Sequence, residues 1–457
     1  MLFRSVIREI TCQDIVPIKN NIVHLSSPRI DNIVMPVDSD YINPEQLCVG
    51  LYVHLDLGWM DHPFVFSSFK IKTQEQIDTI RKLKLTRIRY EQGKSVCKPL
   101  PVKSAPASVS RQKPSVAVAD IALMEAKKVR IAQLKHIKNE ISRVEHEFVR
   151  AADTVRNITR NIHSRPQEAF AQTEALVGKM VKSIQNEGDV LIHAMSGKLG
   201  DDVYFHSLNV TVLSLMLANV LGLSGEQMHE LGMGAMLHDV GKSEVPHKIL
   251  SKPEPLTKPE QAILEQHCDF GAVFAKKIGL SNAALAIIIQ HHEFMDGSGY
   301  PRKLSGGNIS PLARIVSIVN TYDNLCNPVN PANGLTPAEA LSRMFALRRA
   351  QFDDGMLKAF IHCLGVYPPG SIVQLSNAMF GLVLSVNSVS PLKPNVLIYD
   401  ESIPKDEAIV ACLATEPDLK INKSLRASEL TREARQYLNP RARVTFYFDP
   451  QKNTNSA

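Results

Sequence analysis

The segment LGMGAMLHDVGK, residues 231–242, joins an apolar run directly to a histidine, an aspartate and a lysine. Lys242 follows His238 by four residues and Asp239 by three, so on a helix all three side chains can face one cavity. Neutral imidazole beside a hard carboxylate suits a divalent transition metal such as iron or manganese, and one carboxylate can bridge two ions. The segment therefore predicts a metal site. It offers no cysteine thiolate, which argues against structural zinc.

Further histidines stand on both sides of this segment at regular intervals. His206, His238, His267 and His291 follow one another at intervals of 24 to 32 residues, and His292 is adjacent to His291. Each interval approximates one helix plus its turn, so successive helices of a bundle would each offer one ligand at the same depth. A single histidine is commonly a hydrogen-bonded core residue. The joint pattern instead predicts a metal centre.

The segment EFMDGSGYP, residues 293–301, follows the histidine pair. Gly297 and Gly299 permit left-handed backbone or close approach to another group. Tyr300 offers a flat face beside the rigid Pro301. The segment is therefore predicted either to bind a planar base and a phosphate beside the metal site or to form only a turn.

Apolar periodicity indicates an all-α domain over residues 166–367, with a buried core helix at 207–225 that is too polar to span a membrane. Short β-type runs at 371–375, 380–385, 396–399 and 443–448 indicate a β-rich C-terminal segment over 368–457. Residues 1–98 resemble a small α+β domain. One short helix is expected at 74–84, with Thr73 as its N-cap.

Residues 99–119 form a Pro- and Ser-rich linker, and residues 120–165 a long heptad-patterned helix. Apolar residues recur at steps of three and four from Leu134 to Ile162. This seam is typical of a parallel dimer or a signalling stalk. It is equally typical of an amphipathic helix that lies on its own domain, and both interpretations stay open.

The composition is that of an ordinary globular protein. The 457 residues include 52 Lys and Arg against 46 Asp and Glu, a net charge of +6, and seven cysteines that stand singly. This charge is compatible with an anionic small ligand but too small to predict nucleic-acid binding. The cysteines are expected to be reduced thiols. Because the N-terminal residues include no apolar stretch long enough for a secretory signal, we expect a cytoplasmic protein without membrane association.

These motifs together resemble the HD-GYP proteins, bacterial phosphodiesterases that open cyclic di-GMP. The resemblance covers residues 169–364, where five segments match in order and spacing: HDVGK, VPHKILSKPEPLT, LEQHCDFGA, HHEFMDGSGYP and SPLARIVSIVN. GLYVHLDLGWMDHPF, residues 50–64, is similar to an N-terminal domain of unassigned role that often precedes this catalytic domain. The implied fold is multidomain and mainly α: an all-α HD-type helical bundle with a small α+β N-terminal domain and a β-rich C-terminal appendage.

The resemblance also implies site residues. Two or three divalent ions, iron or manganese, would be bound by His206, His238, Asp239, His267, His291 and His292. Lys242 matches an active-site lysine that contacts the scissile phosphate, and it joins Asp239 as a catalytic residue. The loop beside the substrate is matched by Gly299, Tyr300 and Pro301, with Asp296 in the same loop. Asp202 matches a glutamate that ligates a third metal in some members.

The chain departs from the family pattern at two places. Asn320 replaces the last metal-binding aspartate, and its carbonyl oxygen can coordinate but brings no negative charge. Residues 327–334, rich in arginine and lysine in the family, contain no cation here. The phosphates of the ligand would then have to be bound by other basic groups: Arg302, Lys303 or Arg314.

The activity implied is metal-dependent hydrolysis of cyclic di-GMP to linear pGpG, with GMP as the product of further cleavage. The alternative is a receptor that binds cyclic di-GMP without cutting it and signals to a protein partner through the heptad helix, which could also form a homodimer over 134–162. The two departures favour this alternative. A hydrolase acting on another nucleotide is a third hypothesis.

Overall fold

The computed structural model divides the chain into two compact units, Met1–Val129 and Arg130–Ala457. It describes residues 39–57, 62–64, 67–101, 118–186, 192–194, 204–386, 393–401, 403, 405, 408–416, 419–439 and 446–448.

The described part of the first unit contains an antiparallel sheet in the order β1-β4-β2-β3, the helix α1 and the beginning of the long helix α2. The elements are β1 (Ser39–Ile42), β2 (Tyr52–His54), β3 (Ser68–Lys70), α1 (Gln74–Lys82) and β4 (Ile88–Glu91). Thr73 caps α1 by accepting from the backbone of Gln76, and Ile77 and Ile80 bury the inner face of the helix. The α+β prediction for this region is confirmed.

The second unit is built mainly from helices. They are α2 (Val118–Asn161, which begins in the first unit), α3 (Pro166–Asn186), α4 (Tyr204–Val220), α5 (Gly225–Leu237), α6 (His247–Leu250), α7 (Lys258–Glu265), α8 (His267–Lys277), α9 (Asn282–Gln290), α10 (Pro311–Cys326), α11 (Pro337–Leu347), α12 (Asp354–Leu364) and α13 (Arg432–Leu438). Helix α4 packs against α5, α10 and α12, so it is buried on nearly every side. This central position explains why its sequence is apolar all round. Among the described residues, none of the helices is both long and apolar enough to span a membrane.

The C-terminal half of α2 lies on the helical core of its own chain. Val144, Phe148, Val155 and Ile162 are buried in that core, and these are the heptad positions of the seam. This part of the seam is therefore not available to a partner helix. The side chains of its earlier positions, 134, 137 and 141, lie outside the described residues.

A second sheet has the order β10-β6-β7-β5-β11, with β8 and β9 extending from β7. Its strands are β5 (Ile192–Ala194), β6 (Ile372–Leu375), β7 (Phe380–Val386), β8 (Asn395–Ile398), β9 (Val410–Cys412), β10 (Ile421–Leu425) and β11 (Phe446–Phe448). The β-rich C-terminal prediction is confirmed. Strand β5 corrects the all-α prediction for 166–367, because it pairs with β7 and β11. Those partners lie far along the chain, which helical periodicity cannot reveal.

Candidate metal centre

The predicted histidines converge because four of them occupy helix ends or first turns. His206 lies in the first turn of α4, His238 follows the end of α5, His267 begins α8 and His291 follows the end of α9. With Asp239 and His292 they form one group, which we call the histidine cluster. Two groups within it could each hold one ion: His206, His238 and Asp239 form one, and Asp239, His267, His291 and His292 form the other. In each group the potential ligand atoms lie within 4.8 Å of one another.

Gly241 sets the approach of two of these elements. A Cβ at this position would lie 2.0 Å from the carbonyl oxygen of His267 and 2.4 Å from the backbone nitrogen of Gly271. Both atoms belong to the backbone and cannot move aside. Only glycine therefore lets the turn after His238 pack against the start of α8.

Three cluster histidines are oriented by their own preceding turns. In each, Nδ1 bonds the backbone carbonyl three residues earlier: His238 to Ala235 at 2.7 Å, His267 to Leu264 at 2.6 Å and His291 to Ile288 at 2.9 Å. A carbonyl only accepts, so Nδ1 carries the proton and Nε2 keeps its lone pair. Each ring thus presents a ligand nitrogen to the cluster.

His206 is oriented by a carboxylate instead. Its Nδ1 donates to Asp323 Oδ2 at 2.6 Å, while Asp323 Oδ1 accepts from Asn209 at 2.8 Å and from Asn327 at 2.9 Å. Asp323 is fully buried. These contacts fix the carboxylate, which in turn fixes the ring and leaves Nε2 of His206 facing the cluster.

The carboxylate of Asp239 lies between two pairs of imidazoles. Its Oδ2 is 3.5 Å from His206 Nε2 and 3.3 Å from His238 Nε2. Its Oδ1 is 3.4 Å from His267 Nε2 and 3.7 Å from His291 Nε2. We call each pair with its oxygen a half-site. One carboxylate thus serves two half-sites, a geometry that can bridge two ions.

The facing nitrogens fit a cation in each half-site. Nε2 of His206 is 3.2 Å from Nε2 of His238, and Nε2 of His267 is 3.3 Å from Nε2 of His291. With the protons on Nδ1, two lone pairs point at each other in both half-sites. Asp239 Oδ1 is buried and makes no hydrogen bond to any described residue. A bound divalent cation would satisfy all of these atoms.

Burial keeps the ligand nitrogens free of protons. It lowers the pKa of His267 and of His291 to about 4, and it lowers the pKa of His238 and of His292 as well. Burial raises the pKa of Asp239, but its interactions with the His238 ring and with the Lys242 ammonium outweigh this effect and hold the pKa well below its usual range. Neutral imidazoles and an ionised carboxylate are the forms that bind metal.

Lys242 lies at the edge of the cluster. Its Nζ donates to Asp239 Oδ2 at 2.6 Å, and its side chain is 34% exposed. The residue belongs to a 3-10 turn, Val240–Glu244, that directly follows the His-Asp pair. An ammonium group in this position can reach both the cluster and an anion that approaches from solvent.

The loop of residues 293–301 packs directly on the histidine cluster. The Tyr300 ring stacks on His292 with centroids 4.4 Å apart, and the Tyr300 backbone nitrogen donates to the His292 carbonyl at 3.1 Å. At Gly299 a Cβ would meet that same carbonyl at 2.4 Å, so glycine is required here. The peptide bond to Pro301 is cis. Gly299, Tyr300 and Pro301 therefore lie where the sequence predicts a substrate loop.

Glu293 anchors the backbone of this loop, a role that the sequence pattern did not predict. It is buried, its carboxylate oxygens accept from the backbone nitrogens of Arg302 at 2.7 Å and Leu304 at 2.9 Å, and its carbonyl accepts from Ser317. Its position directly after the histidine pair was the available signal. Asp323 was also missed as the partner of His206, because 117 residues separate them.

Two predicted substrate contacts have structural partners instead. Asp296 Oδ1 accepts from the backbone and hydroxyl of Ser298, closing a turn within the loop. Arg314 uses its three nitrogens on the carbonyls of Ile309 and Gly306 and on Asp353. These contacts favour structural roles for Asp296 and Arg314.

The two remaining predicted ligands are Asn320 and Asp202, and one further group near the cluster is the Cys268 thiol. Asn320 is buried, and its Oδ1 accepts from Asn324 at 2.8 Å. Asp202 lies outside the described residues. Cys268 Sγ is 3.6 Å from His267 Nε2, but burial raises the pKa of this thiol, so it stays protonated and is a poor metal ligand.

Comparison with protein families gives two matches. The family described as HD domain matches residues 162–355, which include every described member of the histidine cluster. A family described as a domain of unknown function, DUF3391, matches residues 41–187. The second match extends from the N-terminal sheet through α2 and α3, so this family includes both the N-terminal α+β region and the long helix α2.

Three curated relatives are informative. Cyclic di-GMP phosphodiesterase PA4108 from Pseudomonas aeruginosa is 29% identical over 78% of this chain and 83% of its own length. Cyclic di-GMP phosphodiesterase PdeB from Borreliella burgdorferi is 26% identical over 49% of this chain and 60% of its own length. The 3'3'-cGAMP-specific phosphodiesterase 2 from Vibrio cholerae is 36% identical over 26% of this chain and 23% of its own length.

Proposed function

We propose that this chain is an HD-GYP protein, a metal-dependent phosphodiesterase that hydrolyses cyclic di-GMP, because residues 162–355 match the HD domain family and two of its relatives are named cyclic di-GMP phosphodiesterases. One water is consumed as one phosphodiester bond opens, and the product is linear pGpG. A second cleavage would give GMP. The name of its relative from P. aeruginosa, whose match covers 78% of this chain, supports this substrate over the cyclic GMP-AMP of the shorter match from V. cholerae.

The observation that carries the proposal is the shared carboxylate. Asp239 offers one oxygen to the pair His206 and His238 and the other to the pair His267 and His291. We propose that these five residues, with His292, hold two divalent ions, and that iron or manganese suits this nitrogen and oxygen donor set. When bound, such ions supply Lewis acidity toward a phosphate and toward the attacking water. A third ion at Asp202 remains a proposal that the described residues do not address.

The chain's own groups would orient the substrate. The Lys242 ammonium lies beside Asp239 and is partly exposed, so it can neutralise charge that develops on the non-bridging oxygens of the phosphate. The half-buried Tyr300 ring, stacked on His292 at the edge of the cluster, would offer an aromatic face to a guanine base. Glu293 holds the backbone of the loop, so this face is preorganised.

Arg302 is the better candidate for a second phosphate contact. Its pair with Asp269, at 3.2 Å, is 60% and 53% exposed, and such surface pairs contribute little. The guanidinium can therefore turn toward a phosphate at small cost. Arg314 would have to break three described contacts to do the same.

Turnover of cyclic di-GMP by anaerobically purified, iron- or manganese-loaded protein would test the proposal. We expect linear pGpG by chromatography, faster than any cleavage of 3'3'-cGAMP under the same conditions. The double variant His238→Ala/Asp239→Ala should lose both turnover and bound metal. His247→Gln is the matched control, because His247 is exposed on α6 and its partner Ser251 is outside the cluster.

Two results would overturn the assignment. Full turnover in the double variant would remove the histidine cluster from catalysis. Cleavage of 3'3'-cGAMP alone would keep the chemistry but replace the substrate.

A receptor that binds cyclic di-GMP without cleaving it is the second candidate. Asn320 brings no charge, and its carbonyl oxygen accepts from Asn324 on the same helix. Stoichiometric binding by calorimetry, with no product from metal-loaded protein, would favour this function. The Asn320→Asp variant would then be expected to gain turnover, because it restores the carboxylate of the family pattern.

A homodimer through α2 remains a proposal for the N-terminal part of the seam alone. From Val144 onward the seam is buried in the chain's own core. Sedimentation analysis of the intact chain and of a Leu134→Glu/Ile137→Glu variant would test it. A dimer that persists in the variant would place the dimer contact elsewhere. We propose that signalling partners also bind to α2.

A further inference from the structure

Two cysteines of the N-terminal unit lie side by side although 49 residues separate them. The Sγ atoms of Cys48 and Cys97 are 3.0 Å apart. The distance between them in the sequence conceals this pair. A disulfide bond is about 2.05 Å long, so roughly one ångström of movement separates the two thiols from a bond.

The two segments that carry these thiols are already joined by backbone hydrogen bonds. Val96 donates to the Gly50 carbonyl at 2.9 Å, and Leu100 donates to the Gln46 carbonyl at 2.9 Å. Each thiol also contacts a carbonyl of the opposite segment: Cys48 contacts Lys98 at 3.3 Å and Cys97 contacts Val49 at 3.2 Å. The fold therefore holds the sulfurs together from both sides.

Reagents can reach the pair. Both side chains are half-buried, whereas the described cysteines of the helical core, at 268, 326 and 363, are buried. Burial and the neighbouring thiol raise the pKa of Cys48 to about 11, so Cys48 stays protonated near neutral pH.

We propose that Cys48 and Cys97 form a reversible disulfide site that responds to the thiol–disulfide balance. The oxidant class is a low-molecular-weight disulfide, such as glutathione disulfide. The Cys97 thiolate attacks one sulfur of this disulfide, breaks its S–S bond and releases one thiolate. Cys48 then attacks the Cys97 sulfur, its proton passes to the departing thiolate, and the second small thiol leaves.

Electrons and protons balance in this thiol–disulfide exchange. Two protein thiols are oxidised, one external disulfide is reduced to two thiols, and no other electron acceptor is needed. The bond would fix residues 95–101 to the segment around Cys48, and so fix the point from which the chain leaves the N-terminal sheet. It involves no residue of the histidine cluster, so it stands or falls independently of the proposed phosphodiesterase activity.

Peptide mapping of the intact protein would test the site. The chain is equilibrated in buffers of graded reduced and oxidised glutathione, quenched with acid, alkylated with N-ethylmaleimide and digested without reductant. We expect a peptide that joins Cys48 to Cys97 to accumulate as the buffer becomes more oxidising, and to disappear on treatment with dithiothreitol.

Three variants sharpen the result. Cys412→Ser, which removes another half-buried thiol, should form the same cross-link. Cys97→Ser should form none, and Cys48→Ser should accumulate a glutathione adduct on Cys97. Complete alkylation of both thiols in the wild-type chain at the most oxidising ratio would overturn the proposal. The wild-type map remains decisive even where a variant fails to fold.

Discussion

The orientation of four of the five cluster imidazoles depends on a partner that is not itself a metal ligand. A backbone carbonyl holds Nδ1 of His238, His267 and His291, and Asp323 holds that of His206. The Asp323 contact differs because it can be removed by a side-chain substitution. It therefore permits a direct test of how ring orientation contributes to metal binding.

Asp323→Asn should weaken manganese binding by about 10- to 100-fold. Asn209 and Asn327 both donate to the Oδ1 position, so the new amide places its oxygen there and turns its NH2 group toward His206. His206 must then carry its proton on Nε2, where it blocks the metal. Isothermal titration with Mn²⁺ measures the change. Asp354→Asn, an exposed carboxylate on α12, is the control and should bind as the wild type does.

The buried histidines predict that the metal-free protein loses stability as the pH falls from about 6.5 to about 4. His267 and His291 have folded-state pKa values near 4, below the ordinary 6.5, so the unfolded chain binds more protons throughout this window. Asp239 contributes its stability above pH 3.8 and loses it only below that value, so it does not reverse the trend.

Urea unfolding of chelator-treated protein at pH 7, 6 and 5 would measure this dependence. A His291→Asn variant should show a shallower decline than the wild type, because one of the titrating groups is gone. An unfolding midpoint that does not change between pH 7 and 5 in the wild type would contradict the assignment of these rings as neutral.

At the level of the elements, the cluster exists because α4, α5, α8 and α9 bring their ends together. Gly241 permits the closest of these approaches, between the turn after α5 and the start of α8. Helix α2 supports the same core from outside through its buried heptad positions. Each of these contacts can be tested by one substitution and a matched control on a helix.

Gly241→Ala should destabilise the protein by about 3 kcal/mol and reduce bound metal, because the new methyl group meets backbone atoms that cannot yield. Gly178→Ala is the control. Gly178 lies inside α3 with no atom within 4 Å of an added Cβ. There, alanine should stabilise by about 0.5–1 kcal/mol. Denaturant unfolding and metal analysis distinguish the two outcomes, and equal stability in both variants would refute the packing argument.

Phe148→Ala should cost about 3–5 kcal/mol of unfolding free energy. The ring is fully buried and lies 5.4 Å from Phe205 and 5.8 Å from Tyr447, centroid to centroid. Arg150→Ala on the same helix should change stability by less than about 0.5 kcal/mol, since Arg150 is 78% exposed. If Phe148→Ala were as stable as Arg150→Ala, α2 would not be part of this core.

For the molecule as a whole, metal binding at the histidine cluster would be thermodynamically linked to folding. The ligands come from four helices and would be separated by unfolding, so bound ions stabilise only the folded state. The C-terminal sheet adds a second long-range connection, because β5 from the helical region pairs with β7 and β11. Ion removal is therefore expected to be visible in global unfolding.

Removing the metal should lower the free energy of unfolding by about 2.7 kcal/mol relative to protein in free Mn²⁺ at 100 times the dissociation constant. Denaturant unfolding with and without a chelator measures this difference. The His291→Ala variant is the control and should show a smaller response to Mn²⁺. A wild-type midpoint that is insensitive to chelator would show that the cluster does not hold metal under these conditions.

Local sequence signals were enough to predict most of the helices and the C-terminal strands, and to propose the residues of the histidine cluster as ligands. Periodicity and caps depend on near neighbours, so α1, the apolar α4 and the C-terminal strands were predictable from them. The adjacency of His238 to Asp239 and of His291 to His292 identified the cluster in the same way. Composition and spacing were enough because these signals are local.

Contacts between groups that are distant in the sequence became visible in the folded chain alone. The bond between His206 and Asp323, the pairing of β5 with β11 and the contact between Cys48 and Cys97 join residues that are 49 to more than 200 positions apart. The folded chain also shows that Arg314 binds the carbonyls of neighbouring residues and that the second half of the α2 seam packs on the chain's own core. Such contacts depend on how whole faces pack, and a periodic pattern records that a face is buried but not what covers it.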